Sequence, residues 1–270
     1  MPALSVESAD GTSIHAESFG EGRPLVVLSG ALFASELWQR VVPLLSPGRS
    51  VYVVDRRGRG KSGDSALYAP EREVDDTLAV LAALPGPVDL LGHSSGALLA
   101  LQAAQRAPAT LQRLVVYEPP VFFRAEDLIL PDLPERLDAL LASGDLEGAV
   151  DTFLREGPRV SEADLPARRA GPHWASMVQR FARTVPYDAR VQRAFSADPA
   201  DLSRVQIPTL MLLGGASPTR MRSAAETVAA RLPNVQTREL EGQEHMAMLS
   251  APALFAAAVN EFLSAAPSTA

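Results

Sequence analysis

The run Leu90-Leu91-Gly92-His93-Ser94-Ser95-Gly96-Ala97-Leu98 leads from an apolar strand through a glycine-flanked serine into an alanine-rich helix. A serine on so sharp a turn takes a strained backbone conformation, so the residues two before and two after it must be small. Gly92 and Gly96 meet that demand. The turn lifts the Ser94 hydroxyl above the sheet and aims the N–H of Ser95 at a developing oxyanion. We therefore predict that Ser94 is a nucleophile.

The pattern G-x-S-x-G is weak evidence by itself, since a glycine-rich turn can hold an incidental serine. Its context is informative. Short β-branched or leucine-rich runs alternate with longer amphipathic runs, which is typical of βαβ units on a mostly parallel sheet. Two alternating runs on either side of Ala9-Asp10-Gly11 indicate an antiparallel hairpin at the start. The predicted strands cover residues 4–7, 13–19, 24–28, 50–54, 88–91, 114–117, 209–213 and 236–240. The predicted helices of this part cover residues 35–45, 71–83, 95–106, 221–231 and 252–264.

The strand alternation stops between residues 119 and 207, where the chain reads as helices broken by proline, predicted over residues 133–143, 146–156 and 172–184. Long insertions between strands commonly shape a pocket over the sheet. We therefore predict an α/β core made of residues 1–118 and 208–270, with eight strands and helices on both faces. Residues 119–207 are predicted to form a helical lid.

Composition narrows the class of ligand. The chain has 270 residues, of which 47% are hydrophobic and 21% charged, as in ordinary globular domains. Its formal net charge is −7, which disfavours nucleic acid and anionic membranes because both reward clustered positive charge. A small-molecule substrate fits better, and we expect a monomer or homodimer.

The chain contains no cysteine, so disulfides and thiolate metal sites are excluded. We expect no metal and no cofactor. The first residues lack a cationic region followed by an apolar run, and no apolar stretch is long enough to cross a bilayer. The expectation is a cytoplasmic protein.

Two further motifs join the serine turn. Leu28-Ser29-Gly30-Ala31 ends the strand after the hairpin, and Asp55-Arg56-Arg57-Gly58-Arg59-Gly60-Lys61-Ser62 follows the next strand. With the serine turn, they resemble the α/β-hydrolase family over nearly the whole chain. The resemblance implies that Ala31 and Ser95 donate the two N–H groups of an oxyanion hole. Family members usually carry histidine where this chain has Ser29, and the arginine-rich turn is taken as structural.

The resemblance also indicates the general base. Of the four histidines, His245 follows the last predicted strand and precedes the last helix, where the family places its base. A neutral imidazole there would take the Ser94 proton and later protonate the leaving group. His15 lies in the hairpin and His93 inside the serine turn, so neither competes well. His173 lies in the predicted lid, where a packing or pocket role is expected.

The acid departs from the family pattern. The family usually places aspartate after the strand at 209–213, but Ser217 stands at that position. One strand earlier, Glu118-Pro119-Pro120 follows the strand at 114–117, at the same edge of the sheet. Vertebrate pancreatic lipases, which share the fold, place their acid there. We predict that Glu118 orients His245, with a capping or salt-bridged glutamate as the alternative and Asp198 and Asp201 in reserve.

The predicted reaction is hydrolysis of an ester, thioester or lactone of a small apolar molecule through an acyl-enzyme. The motif set with Tyr-Glu-Pro-Pro after the sixth strand also resembles a bacterial subgroup of the family. Non-hydrolytic or C–C bond-cleaving enzymes of specialised metabolism, such as isomerases and cyclases, and ligand receptors use the same scaffold and stay open as alternatives. The candidate substrate-binding residues, each with a core residue as the alternative, are Leu32, Phe33, Trp38, Phe122, Trp174, Phe181 and Tyr187.

Overall fold

The computed structural model describes residues 3–122, 130–196 and 202–265. Its centre is one eight-stranded sheet with the order β1-β2-β4-β3-β5-β6-β7-β8. The strands β1 and β2 form the predicted antiparallel hairpin, β2 pairs antiparallel with β4, and every other pairing is parallel. The strands are Leu4–Glu7, Ser13–Phe19, Arg23–Leu28, Arg49–Asp55, Val88–His93, Leu111–Tyr117, Thr209–Gly214 and Val235–Leu240.

Alternating side chains on the central strands feed two separate apolar cores. In β3, Val26 and Leu28 face one core and Leu25 and Val27 face the other, as period-two alternation requires. The first core receives α2 (Pro70–Ala82), α3 (Ser95–Arg106) and α9 (Thr219–Ala229). The second receives α1 (Val42–Leu45), α10 (Ala247–Ser250) and α11 (Pro252–Ser264). The predicted fold class, a mostly parallel sheet with helices on both faces, is confirmed.

One predicted helix does not form as a single element. Residues 35–45 fold as a 3₁₀ helix over Ser35–Trp38 and then as the short α1. Pro43 explains the break, because proline lacks the N–H that an unbroken helix would use and is accepted near a helix start, where it stands in α1. The predicted helices at 95–106 and 252–264 match α3 and α11.

Between β6 and β7 the described residues form α4 (Leu133–Ala142), α5 (Leu146–Glu156), α6 (Leu165–Arg169), α7 (Trp174–Phe181) and α8 (Val185–Ser196). Helix α8 lies outside the three helices predicted for this insertion. Helices α4, α5 and α8 pack on one another, and α8 also packs on α3 of the core. No helix among the described residues is both long and apolar enough to span a membrane.

Candidate active site

Ser94 forms the corner between β5 and α3. Its backbone angles, φ 54° and ψ −126°, lie in a region that residues other than glycine rarely adopt. A Cβ on Gly92 would lie 2.5 Å from the Gly96 carbonyl oxygen, and a Cβ on Gly96 would lie 2.4 Å from that of Leu28. Both positions therefore require glycine. The Ser94 N–H donates to the Tyr117 carbonyl oxygen at 3.0 Å, which fastens the corner to the end of β6.

Glu118 follows β6 and also has a left-handed backbone, with φ 46°. Its buried carboxylate lies 2.6 Å from Nδ1 of His245 through Oε2 and accepts the Gly214 N–H through Oε1 at 2.8 Å. Burial raises the pKa of Glu118, but the hydrogen bond and charge of His245, together with the Ser217 hydroxyl and the Gly214 N–H, lower that pKa further, so the net shift is downward. The carboxylate is thus ionised beside the imidazole at neutral pH.

The loop that carries His245 is held by two buried side chains. Nε2 of His93 donates to the His245 carbonyl oxygen at 3.0 Å, and the two imidazole rings lie 4.6 Å apart between centroids. The Tyr117 hydroxyl donates to the Glu244 carbonyl oxygen. Burial, with a smaller contribution from His245, lowers the pKa of His93 well below its ordinary value. His93 is therefore neutral, and its proton on Nε2 is used for the loop.

His93 directly precedes Ser94 in the chain and its ring contacts that of His245, so the serine corner and the His245 loop share this neighbour. Among the described residues no hydrogen bond joins the Ser94 hydroxyl to the His245 ring. One third of the His245 side chain is exposed, at 34%. Because Nδ1 faces Glu118, Nε2 is the ring nitrogen left to meet a bound molecule.

The loop after β3 lies directly against the serine corner. A Cβ on Gly30 would lie 2.8 Å from the Cβ of Ser94. The loop is fixed by Trp38, whose Nε1 donates to the Ser29 hydroxyl at 2.8 Å, and by Asp55, whose carboxylate accepts the Ser35 N–H at 2.9 Å. Trp38 and Ser29 thus support this loop through a side-chain hydrogen bond.

Comparison with known proteins agrees with this architecture. A model of the α/β-hydrolase family matches residues 25–258. The chain belongs to the α/β-hydrolase family. A crystal structure of an α/β-hydrolase from Sphaerobacter thermophilus is 38% identical, with a TM-score of 0.88, and the alignment covers 97% of this chain and 100% of that one.

Two curated relatives of this α/β-hydrolase are enzymes. The pimeloyl-(acyl-carrier protein) methyl ester esterase of Aeromonas hydrophila is 28% identical over 93% of this chain and 99% of its own. The (E)-2-((N-methylformamido)methylene)succinate hydrolase of Acinetobacter baylyi is 25% identical over 99% and 100%. This α/β-hydrolase is therefore an enzyme, and its class is hydrolase.

The seven predicted substrate-binding residues separate into four groups. Leu32, Trp174 and Phe181 share one apolar cluster, against which Ala31 packs. Phe33 and Trp38 belong with the core on the other side, where Trp38 is fully buried. Phe122 packs on Met221 and Ala224. Tyr187 stacks on Tyr68 with 3.8 Å between ring centroids. The first group brings the loop after β3 and the inserted helices together, and the last two groups lie apart from it.

The other sequence candidates lie elsewhere. His15 pairs with Glu17 in the hairpin, and His173 is exposed at the start of α7. Asp198 and Asp201 lie outside the described residues. Within the described residues no group of three metal-binding side chains comes together.

A buried ionic cluster next to the serine corner was not predicted from the sequence. We call it the Arg56 cluster, and it consists of Arg56, Arg59, Glu73 and Asp188. Arg56 forms a bidentate pair with Glu73 and contacts Asp188 of α8 at 2.8 Å, while Arg59 contacts Asp188 at 2.7 Å. The available signal was the turn at residues 55–62, because arginines that become buried need carboxylate partners. Nothing in the sequence identified Asp188 as one of them.

Proposed function

We propose that this α/β-hydrolase cleaves a carboxylic ester, thioester or lactone of a small apolar molecule through an acyl-enzyme on Ser94. The contact of His245 Nδ1 with the ionised, buried Glu118 at 2.6 Å is the observation that carries the proposal. A carboxylate at this nitrogen fixes the tautomer in which Nε2 is the proton acceptor and stabilises the imidazolium that forms. Two curated relatives named as an esterase and a hydrolase give independent support.

In the proposed mechanism the Ser94 hydroxyl attacks the substrate carbonyl carbon while His245 Nε2 takes its proton. Negative charge develops on the carbonyl oxygen, which accepts hydrogen bonds from the N–H groups of Ala31 and Ser95. The imidazolium then protonates the leaving group. A water molecule, deprotonated by the same nitrogen, then attacks the acyl carbon; the bond to Ser94 Oγ breaks, the imidazolium returns its proton to Oγ, and the acid leaves.

The hydrogen bond between a catalytic serine and its imidazole commonly tightens only in the substrate complex. The lack of such a bond between Ser94 and His245 among the described residues is therefore compatible with the proposal. The half-buried serine and the partly exposed imidazole leave the reacting atoms accessible. We further propose that the inserted helices act as a lid. Support comes from the apolar cluster in which Leu32 beside the serine corner packs with Trp174 and Phe181 of α7.

A fluorophosphonate probe tests the nucleophile, because it phosphonylates activated serines. We expect one equivalent of label on Ser94, detected by intact mass and peptide mapping, together with turnover of short-chain nitrophenyl esters. Ser94→Ala should lose both label and turnover, whereas Ser143→Ala, at an exposed serine on the inserted helices, should keep both. Folded wild-type protein without labelling or ester turnover would overturn the proposal and favour a non-hydrolytic enzyme or a receptor.

A further inference from the structure

Asp188, in the first turn of α8, reaches from the inserted helices to the residue after the nucleophile. The Ser95 hydroxyl donates to Asp188 Oδ1 at 2.9 Å, and Arg56 and Arg59 contact the two carboxylate oxygens at 2.8 and 2.7 Å. All four side chains are nearly inaccessible to solvent. The contact spans 93 residues of sequence and joins two parts of the fold that the backbone does not connect locally.

The Arg56 guanidinium also contacts the loop that carries Ala31, the second proposed oxyanion donor. Nη1 of Arg56 donates to the Ser95 hydroxyl at 3.0 Å and lies 3.3 Å from the Ser29 carbonyl oxygen. Ser29 begins the loop that carries Ala31. One nitrogen atom therefore bridges Asp188 with both backbone segments whose N–H groups are assigned to the oxyanion.

Charge balance explains why this cluster survives burial. Arg56 and Arg59 supply two cations and Glu73 and Asp188 two carboxylates, so the Arg56 cluster is formally neutral. Burial raises the pKa of Asp188, but Arg59 and Arg56 lower that pKa further, and the carboxylate is ionised. A neutral cluster adds little net charge beside an oxyanion. Buried ion pairs are poor sources of stability, and fixing one arrangement of the chain is their best-attested use.

We propose that Asp188 is a positioning residue for the oxyanion hole, acting through Ser95 and Arg56, so that seating α8 on the core sets the spacing of the Ser95 and Ala31 N–H groups. This inference rests on the proposed function. In this arrangement Asp188 couples the inserted helices to catalysis through hydrogen bonds and ion pairs, in addition to any role of these helices in covering the substrate. Oxyanion-hole donors act in the transition state, so a spacing error lowers kcat more than it changes KM.

Ser95→Ala is the first test, because it keeps the backbone N–H and removes only the hydroxyl that contacts Asp188 and Arg56. We expect kcat to fall by roughly tenfold to a hundredfold, less than the 10²–10³ lost when an oxyanion donor is removed outright. KM should change by less than about threefold. An unchanged kcat would overturn the proposal even if every Asp188 variant failed to fold.

Asp188→Asn provides the second test, in a cycle with Ser95→Ala. Because part of the effect of Asp188 passes through the Ser95 hydroxyl, the loss in kcat from Asp188→Asn becomes smaller once that hydroxyl is absent, so the two effects are non-additive. Losses that multiply independently, or a change confined to thermal stability, would contradict the proposal.

Asp76→Asn is the matched control. Asp76 forms a buried bidentate pair with Arg57 on the same turn, at 2.7 Å for both bonds, and no hydrogen bond of the described residues joins it to Ser95 or Asp188. It should lower stability while leaving kcat near the wild-type value. Labelling of Ser94 in wild type and in all three variants separates the outcomes: an unlabelled wild type means that the proposed function has failed, whereas a labelled, active wild type with additive effects means that only this inference has.

Discussion

The loops after β6 and β7 stand side by side at the same edge of the sheet, yet only one carries a carboxylate to the imidazole. The loop after β6 presents Glu118, which contacts His245 and the N–H of Gly214. The loop after β7 presents Ser217, a buried residue whose hydroxyl lowers the pKa of Glu118. Because β6 and β7 are parallel neighbours, their carboxyl ends lie at the same edge of the sheet, next to each other.

Glu118 reaches His245 because β6 ends at the same edge of the sheet as β7, although Glu118 lies one strand earlier in the chain. The Gly214 N–H ends β7 and donates to the Glu118 carboxylate at 2.8 Å. Glu118 thus receives a donor from the neighbouring loop as well as from the histidine. The two loops form one unit in which β6 supplies the charge and β7 orients it.

Removing that charge should give the largest effect. Glu118→Gln keeps the shape of the side chain but leaves His245 without a carboxylate, so we expect kcat/KM for an ester to fall on the order of 10⁴-fold. Thermal stability should change little. Steady-state kinetics and thermal unfolding measure both. Glu244→Gln, an exposed neighbour of His245, is the control and should stay close to wild type. Near-wild-type turnover in Glu118→Gln would reassign Glu118 as structural.

Moving the carboxylate to the loop after β7 tests whether the two loops are interchangeable. Ser217→Asp in the Glu118→Gln background places an acid where family members usually carry it. We expect recovery of roughly tenfold to a hundredfold in kcat/KM over the single variant, since about four decades are available and the geometry is not optimised. Glu118→Gln with Ser217→Ala should show no recovery. If the aspartate recovers nothing, the two loops are not interchangeable in this chain.

The sequence was sufficient for elements whose signal is local or follows from strand order. The glycine pattern predicted the Ser94 corner, and strand order put Glu118 at the edge where His245 arrives; their side chains do meet, while their catalytic roles stay predictions. The rest depends on tertiary partners. Trp38, named from the sequence as either a pocket or a core residue, is fully buried, and the sequence gives no sign of its hydrogen bond to Ser29. Asp188 could not be singled out among the acidic residues.

His93 holds the His245 loop through a hydrogen bond to the His245 carbonyl oxygen. Because His93 is buried, we expect the stability of the protein to depend on pH. The pKa of His93 is lowered by burial and by His245, so the unfolded chain binds a proton below about pH 6.5 that the folded chain does not. Stability should therefore decline as pH falls, with a contribution from this group of up to about 1.4 kcal/mol per pH unit.

Urea unfolding at several pH values between 7 and 5 measures this slope. His93→Gln keeps a donor for the His245 carbonyl oxygen and removes the titration, so its stability should depend less steeply on pH than that of wild type. His173→Gln, at an exposed histidine, should run parallel to wild type. Equal slopes for His93→Gln and wild type would mean that His93 is protonated in the folded protein and that its bond to the loop has another form.

Ser217→Ala should give the smallest effect. The hydroxyl lowers the pKa of Glu118 only as one of several contributions, after the hydrogen bond and charge of His245, so Glu118 stays ionised at neutral pH without it. We expect kcat/KM at pH 7 within about threefold of wild type, because the Glu118–His245 contact is retained. Ester kinetics beside Glu118→Gln measure the contrast. A loss as large as that of Glu118→Gln would mean that the loop after β7 is itself essential to the acid, since a residue that merely borders the carboxylate cannot be worth as much as the carboxylate.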